Sequence, residues 1–258
     1  MHNKTQITAS IVLYNEEFNE LSNTVDSFLK TDLPKKLFLI DNSPQNDLRG
    51  KFVHPDIEYI HTKKNIGFGA GHNRIMNKIK NYSTYHLILN PDVSFKPSVI
   101  PKLIEELKNE KDVSMIAPRL LFSNGDHQYS CRRYPSLFEL LTRSSAVFKY
   151  FFSSVKHTGE YRDEDLTKPF YPDFMHGGFL LFKTEDFVSI NGFDERYFLY
   201  MEDVDICRKI DASGKKKRYH PKEEITHILK KGSSKNSKLF IIHLISIMKY
   251  FYKWGFKK

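Results

Sequence analysis

Cysteine is nearly absent from this chain of 258 residues: Cys131 and Cys207 are the only two, far apart and without metal-ligand spacing. That excludes a disulfide framework and a zinc ribbon, and the pair reads as reduced thiols of a cytosolic protein. Long hydrophobic runs are also missing. The longest apolar stretch, residues 239–248, is too short and too interrupted by His243 to span a bilayer. The opening residues, Met1-His2-Asn3-Lys4-Thr5-Gln6, contain no apolar signal region, so nothing suggests secretion. No internal repeat and no low-complexity linker occurs, and the chain is not cut into independently folding units. Acidic residues are in deficit, 31 Asp and Glu against 40 Lys and Arg, for a formal charge of +9.

What is present is ordinary for a folded protein. Hydrophobic residues make up 40% and charged residues 28%, which excludes wholesale disorder, and the length allows a substantial core. Aromatic content of 14% fills that core and suits a cleft that stacks on rings. The positive charge is uneven: residues 215–258 hold thirteen Lys or Arg against Glu223 and Glu224. Such asymmetry implies an anionic partner, whether nucleic acid, phosphorylated substrate or an anionic membrane leaflet. Residues 239–258 mix aromatics with Lys, which fits a helix lying in a membrane interface or one packing on the core. Both readings stay open.

Strand-like runs at 7–14, 36–40, 57–61 and 85–89 alternate with helical stretches at 16–29 and from the 65–71 glycine loop to about residue 79. That alternation predicts an α/β fold with a largely parallel, doubly wound sheet. In such sheets ligands bind beyond the carboxyl ends of the strands. The polar clusters Asn15-Glu16, Asp41-Asn42-Ser43 and Asn90-Pro91-Asp92 fall there. The second half is less regular. A strand at 113–118 precedes a turn at Ser123-Asn124-Gly125-Asp126. Residues 131–172, with a helix near 137–152, read as a substrate-facing insert, and a strand resumes at 179–182.

The chemistry concentrates in a few places. Glu202, Asp203 and Asp205 follow the aromatic run Tyr197-Phe198-Leu199-Tyr200 and precede the apolar-periodic Ile206, Cys207 and Ile210. Carboxylates there sit in the first turn of a helix, whose free N–H groups and dipole favour ionisation. An ionised carboxylate walled by aromatics is a candidate general base for a sugar hydroxyl; a solvated acidic helix start is the plainer alternative. Pro91 interrupts its strand and presents Asp92 from a turn, as a turn former or as a ligand for Mg²⁺ or Mn²⁺. His227, ahead of Lys230-Lys231-Gly232-Ser233-Ser234, could complete such a metal and diphosphate site.

In order and spacing, several segments together resemble glycosyltransferase family 2. They are Ser10 through Asn15, Asp41-Asn42-Ser43, Asn65-Ile66-Gly67-Phe68-Gly69, Asn90-Pro91-Asp92, His176-Gly177-Gly178, Gly192-Phe193-Asp194 through Asp205, and His227. The Asn-Ile-Gly-Phe-Gly and Asn-Pro-Asp forms are similar to those of bacterial rhamnosyltransferases of O-antigen and cell-wall assembly. The resemblance spans residues 7–234 and implies a GT-A fold, a mixed, mostly parallel Rossmann-like sheet flanked by helices. A nucleotide-binding half would cover about 1–95 and an acceptor-binding half about 96–234, followed by a basic amphipathic segment at 235–258. The implied reaction is inverting transfer of a sugar, L-rhamnose from dTDP-β-L-rhamnose, onto a lipid-diphosphate-linked saccharide at the cytoplasmic face of the cell membrane. A UDP-hexose donor is the alternative.

The resemblance also implies roles. Asp41 would bond the base, framed by backbone near Leu13, Tyr14 and Asn15. Asn65, Gly67, Gly71 and Asn90 would line the nucleotide side. Asp92 and His227 would hold Mg²⁺ or Mn²⁺, and Lys230 and Lys231 would meet the diphosphate. Asp203 would be the base, with Glu202 supporting it and, with Gly177 and Gly178, meeting the acceptor. Asn90 departs from the common Asp-X-Asp pattern and removes one charge from the metal site. Other classes fit less well. The 67–71 loop follows the third strand and has His72 where a dinucleotide fingerprint needs glycine. The basic C-terminus lies beside an apolar run rather than on a patterned recognition helix, so no nucleic-acid partner is expected.

Overall fold

The computed structural model describes residues 5–136, 159–228 and 237–255. Ten strands and seven helices follow along these segments. The first half contains β1 (Thr5–Leu13), α1 (Phe18–Leu29), β2 (Lys35–Asp41), β3 (Ile57–His61), α2 (Phe68–Asn73), α3 (Met76–Ile79), β4 (Ser83–Leu89), β5 (Val93–Phe95) and α4 (Val99–Asn109). The second half contains β6 (Val113–Leu121), β7 (Cys131–Arg132), β8 (Phe174–Met175), β9 (Phe179–Lys183), α5 (Thr184–Ser189), α6 (Glu202–Ala212), β10 (Lys216–His227) and α7 (Ser237–Trp254).

Eight strands form one sheet in the order β3-β2-β1-β4-β9-β6-β10-β5, while β7 and β8 pair separately. The four strands from β3 to β4 run parallel, and β6 and β10 are parallel as well; β9 and β5 run antiparallel to their neighbours. The expected mixed, mostly parallel sheet is therefore present. On β1, Ile7, Ala9, Ile11 and Leu13 point to one face and Thr8 and Ser10 to the other, all buried, because helices cover both sides. One face packs Leu21, Val25 and Phe28 of α1, at helical spacing, with Leu103 and Leu107 of α4. The other packs Val204, Ile206 and Ile210 of α6 with Ile247, Tyr250 and Phe251 of α7.

Local readings hold in most places. The 123–126 turn closes with Gly125 at φ 85°, Phe122 N donating to Asp126 O at 2.8 Å, and an antiparallel bridge joining Leu121 and His127. Two readings change. The helix running to residue 79 is broken into α2 and α3, where the Asn73 amide clasps the backbone N–H and C=O of Phe193. The basic stretch after residue 215 begins as a strand, and part of its charge is paired inside the protein. Lys217, 3% exposed, pairs with Asp211, and Arg218 pairs with Glu106 and Glu110. The expected helix near 137–152 lies outside the described residues.

Candidate active site

The strand order changes direction between β1 and β4, and a cleft of about 1170 Å³ opens beyond their carboxyl ends. That is the place an open α/β sheet offers to a ligand. Val12 and Tyr14 from the end of β1, Asn90, Pro91 and Asp92 after β4, and Asp203 at the start of α6 all line it.

One end of the cleft is built as a small polar cage. His227 Nε2 stands 3.3 Å from Asp92 Oδ1 and 3.4 Å from Asn90 Nδ2. β10 delivers the histidine by pairing antiparallel with β5, where His227 lies opposite Val93, and Ile228 N donates to Asp92 O at 2.9 Å. Gln128 sets the ring. Its Nε2 donates to His227 O at 2.6 Å, so its Oε1, 3.0 Å from Nδ1, must be the acceptor there. Nδ1 therefore carries the proton of the neutral ring, and the Nε2 lone pair faces the carboxylate. Asp92 Oδ1 and Asn90 Oδ1 are buried without a hydrogen-bond partner. Buried oxygens left unpaired beside an imidazole lone pair fit a hard divalent cation that completes its shell with water and phosphate. Among the described residues no cluster of three His, Cys, Asp or Glu occurs, so two charged or imidazole ligands plus the Asn90 amide are the whole set there.

The other end carries the carboxylates. Tyr200 and Met201 both adopt left-handed backbone, φ 67° and 68°, and turn the chain sharply into α6. Non-glycine residues there cost roughly 1–3 kcal/mol each and persist where surrounding structure enforces them, typically at functional sites. Glu202 is buried, its Oε2 has no hydrogen-bond partner, and burial together with the charge of Asp203 pushes its carboxyl well above the usual range. Asp203 is more open; its Oδ1 accepts from Val204 N at 2.8 Å and its Oδ2 lies 3.3 Å from His176 Nδ1. Asp205 turns away. It is fully buried and is held by Lys253 Nζ at 2.8 and 2.9 Å and by Trp254 Nε1 at 2.7 Å.

Gly177 and Gly178 join the two ends. A Cβ on Gly177 would lie 3.9 Å from Asp203 Cβ, and one on Gly178 would lie 3.5 Å from His227 Cε1. Carboxylate and cage thus face one dipeptide, whose α-carbons are about 3.8 Å apart.

On the nucleotide side the structure divides the expected residues. Tyr14, Asn65, Gly67 and Asn90 line the cleft; Leu13, Asn15, Asp41 and Gly71 do not. Leu13 is core. Asn15, with φ 55°, bonds through its N–H to Ser43 Oγ. Asp41 points inward, 1% exposed, accepting from Tyr59 Oη at 2.5 Å and Ser43 N at 2.8 Å. With both oxygens engaged it braces the loop after β2, and its neighbour Asn42 reaches the cleft instead. Gly71 is a packing glycine, since a Cβ there would come within 2.6 Å of Val12 Cγ2. At Gly67 a Cβ would come within 2.6 Å of Phe198 O, so that glycine lets the 65–68 loop lock onto the loop ahead of α6. Lys230 and Lys231 lie outside the described residues.

Sequence reasoning passed over Gln128, Arg132 and the ring of His176. All three line the cleft. They sit in loops or in the two-residue strand β7, too short to show a period, and only their neighbours in space give them meaning.

Comparisons with known proteins bear on the family and the fold. The sequence model of Glycosyl transferase family 2 matches residues 8–187, and that described as the N-terminal domain of galactosyltransferase matches residues 166–231. An N-acetylglucosaminyl-diphospho-decaprenol L-rhamnosyltransferase of Mycobacterium tuberculosis is 28% identical over 211 residues, 77% of this chain and 68% of that protein. Rhamnosyltransferase WbbL of Escherichia coli is 28% identical over 193 residues, 71% of this chain and 69% of that protein. Among solved structures, GalNAc-T7 with UDP, GalNAc and Mn²⁺ superposes with TM-score 0.67 at 18% identity, covering 87% of this chain and 43% of its own. The mannosyltransferase PcManGT of Pyrobaculum calidifontis, with GDP-Man and Mn²⁺, gives 0.59 at 16% identity, covering 89% and 59%. At these identities the structures speak to the GT-A fold alone.

Proposed function

The chain belongs to glycosyltransferase family 2, and from that premise we propose that it transfers L-rhamnose from dTDP-β-L-rhamnose, with inversion, onto a lipid-diphosphate-linked saccharide. The observation that carries the reading is the Gly177-Gly178 strip, with the Asn90-Asp92-His227 cage at one end and Asp203 at the other. An anomeric carbon above that strip would have a diphosphate on one side and a base on the other, the arrangement that inversion needs. The donor and acceptor classes rest on the two rhamnosyltransferase relatives, one of them named for an N-acetylglucosaminyl-diphospho-lipid.

In this reading Asn65, Gly67 and Tyr14 bind the nucleotide at the end of β1, while residues up to about 95 form the donor half and 96–234 the acceptor half. Asp92 and His227, with Asn90, would hold Mg²⁺ or Mn²⁺, whose charge offsets that developing on the leaving diphosphate. Asp203 takes the acceptor hydroxyl proton as that oxygen attacks. Glu202, kept neutral at moderate pH by its buried position, supports Asp203 without adding a second negative charge.

No helix among the described residues is long and apolar enough to cross a membrane. The outer face of α7 exposes Ile241, Ile245, Met248 and Tyr252 at helical spacing, flanked by Lys249. Such a stripe beside basic residues suits an anionic membrane surface, which would bring the cleft to a lipid-borne acceptor at the cytoplasmic face.

The deciding assay is transfer to a synthetic GlcNAc-diphospholipid, comparing dTDP-rhamnose with a panel of UDP-sugars, with Mn²⁺ or Mg²⁺ and with chelator. A rhamnosylated product of inverted anomeric configuration supports the proposal. Transfer from a UDP-sugar instead would overturn the donor while keeping the reaction class.

A further inference from the structure

Asp203 stands at the end of a chain of side chains to which the roles above give no part. Arg132 Nε donates to His176 Nε2 at 3.0 Å, and His176 Nδ1 lies 3.3 Å from Asp203 Oδ2. Arg132 is itself held by Glu160, Nη2 to Oε1 at 3.1 Å, and Glu160 also accepts from Arg162 Nε at 2.6 Å. A guanidinium only donates and stays charged, so His176 Nε2 must be the acceptor. The proton of the neutral ring then resides on Nδ1, the nitrogen that faces the carboxylate.

Building on the transfer reading, we propose that His176 is a positioning residue for Asp203: its Nδ1–H orients the carboxylate towards the acceptor hydroxyl, and Arg132 fixes the tautomer that allows it. At 3.3 Å the contact is longer than a made hydrogen bond, and contacts of this kind tighten when substrate fills a site. The arrangement also assigns the proton. An imidazolium would need a second hydrogen on Nε2, where the guanidinium already donates, so His176 does not accept from the acceptor. The acceptor oxygen bonds to the anomeric carbon and its proton passes to Asp203. The bond from the anomeric carbon to the diphosphate oxygen breaks, and its electron pair leaves with the diphosphate.

Among the described residues, Glu202 and Cys207 on α6, His176 after β8 and His243 on α7 are titratable groups set against Asp203. Of these, His176 is the one whose donor nitrogen meets a carboxylate oxygen. Its loss should therefore remove a hydrogen bond to the charged carboxylate, a change that the titration of the carboxyl reads directly.

The test uses the full chain with ¹⁵N-labelled histidine and ¹³C-carboxyl aspartate, the two signals assigned by their loss in His176→Asn and Asp203→Asn. The expected result is an Nδ1–H tautomer at His176 that is lost in Arg132→Leu. The Asp203 midpoint should be raised in His176→Leu and near the wild-type value in His176→Asn, whose amide nitrogen replaces Nδ1. In transfer assays kcat should fall roughly tenfold in His176→Leu and recover in His176→Asn, with the donor KM unchanged. An Nε2–H tautomer in the wild type, or an Asp203 midpoint unmoved in His176→Leu, overturns the proposal. If His176→Leu does not fold, His176→Gln, whose amide reaches the Nε2 position instead, takes its place with the same expectation. The titration needs no turnover. A wild type that transfers no sugar thus sinks the transfer reading, while the spectra still decide the role of His176.

Discussion

At the scale of single residues, two adjacent carboxylates in the first turn of α6 are separated by their surroundings. Asp203 is open to the cleft and Glu202 is buried. Because a base acts in the transition state, Asp203→Asn should lower kcat by about 10²–10⁴-fold while donor affinity, measured by calorimetry, stays near that of the wild type. Unchanged turnover would remove Asp203 from that role. Glu202 has a consequence for stability. Its folded carboxyl titrates above the ordinary value of 4.5, so the folded protein keeps a proton that the unfolded chain has lost. The group's contribution is therefore most favourable below about pH 4.5 and declines as pH rises towards the folded value, by about 1.4 kcal/mol for each unit crossed. Glu202→Gln should match the wild type's melting temperature near pH 4.5 and exceed it increasingly towards pH 8. A difference that does not grow with pH would mean that Glu202 is not held neutral.

At the scale of elements, α7 has one buried face and one exposed face. Its inner face buries Ile247, Tyr250 and Phe251, each contributing about 1.5–3 kcal/mol, and places Lys253 and Trp254 against the fully buried Asp205. Deleting residues 239–258 should for that reason destabilise the whole domain rather than merely free it from a surface. Breaking a buried pair costs roughly 3–5 kcal/mol, so Lys253→Ala should lower the urea midpoint clearly; an unmoved midpoint would show Asp205 to be satisfied otherwise. The outer face answers a different question. Ile245→Ser with Met248→Ser should weaken binding to anionic vesicles in a sedimentation assay while changing stability by no more than about 0.5 kcal/mol. Equal binding by the double variant would assign the exposed stripe to some other partner. Sequence periodicity allowed both readings of this helix, and the buried inner face shows that it packs on the core.

For the whole molecule, the proposed cation would couple ligand to fold, because Asn90, Asp92 and His227 come from distant parts of the chain. A cation that binds only the folded protein raises stability by RT ln(1 + [L]/Kd), so Mn²⁺ should raise the melting temperature, by the equivalent of about 2.7 kcal/mol at a hundred times Kd. In Asp92→Ala that increment should vanish together with metal-dependent donor binding. A full increment in the variant would put the cation elsewhere. How much of this was legible follows from what is local. Apolar alternation fixed β1 to β4 and the helix after Tyr200, because period and burial are properties of neighbouring residues. Position after a strand singled out Asn90-Pro91-Asp92, because the ends of parallel strands converge on one rim whatever the loops do, whereas the roles of Asp203 and His227 came from the family resemblance. The chain alone could not tell that Asp41 turns inward to Tyr59, that Gly71 serves packing, or that Asp205 belongs to α7. It could not show that Gln128 and Arg132 set the tautomers of His227 and His176, since those contacts join residues 99 and 44 positions apart. Hydrogen bonds between side chains depend on distances of tenths of an ångström, and only the packed tertiary structure sets those.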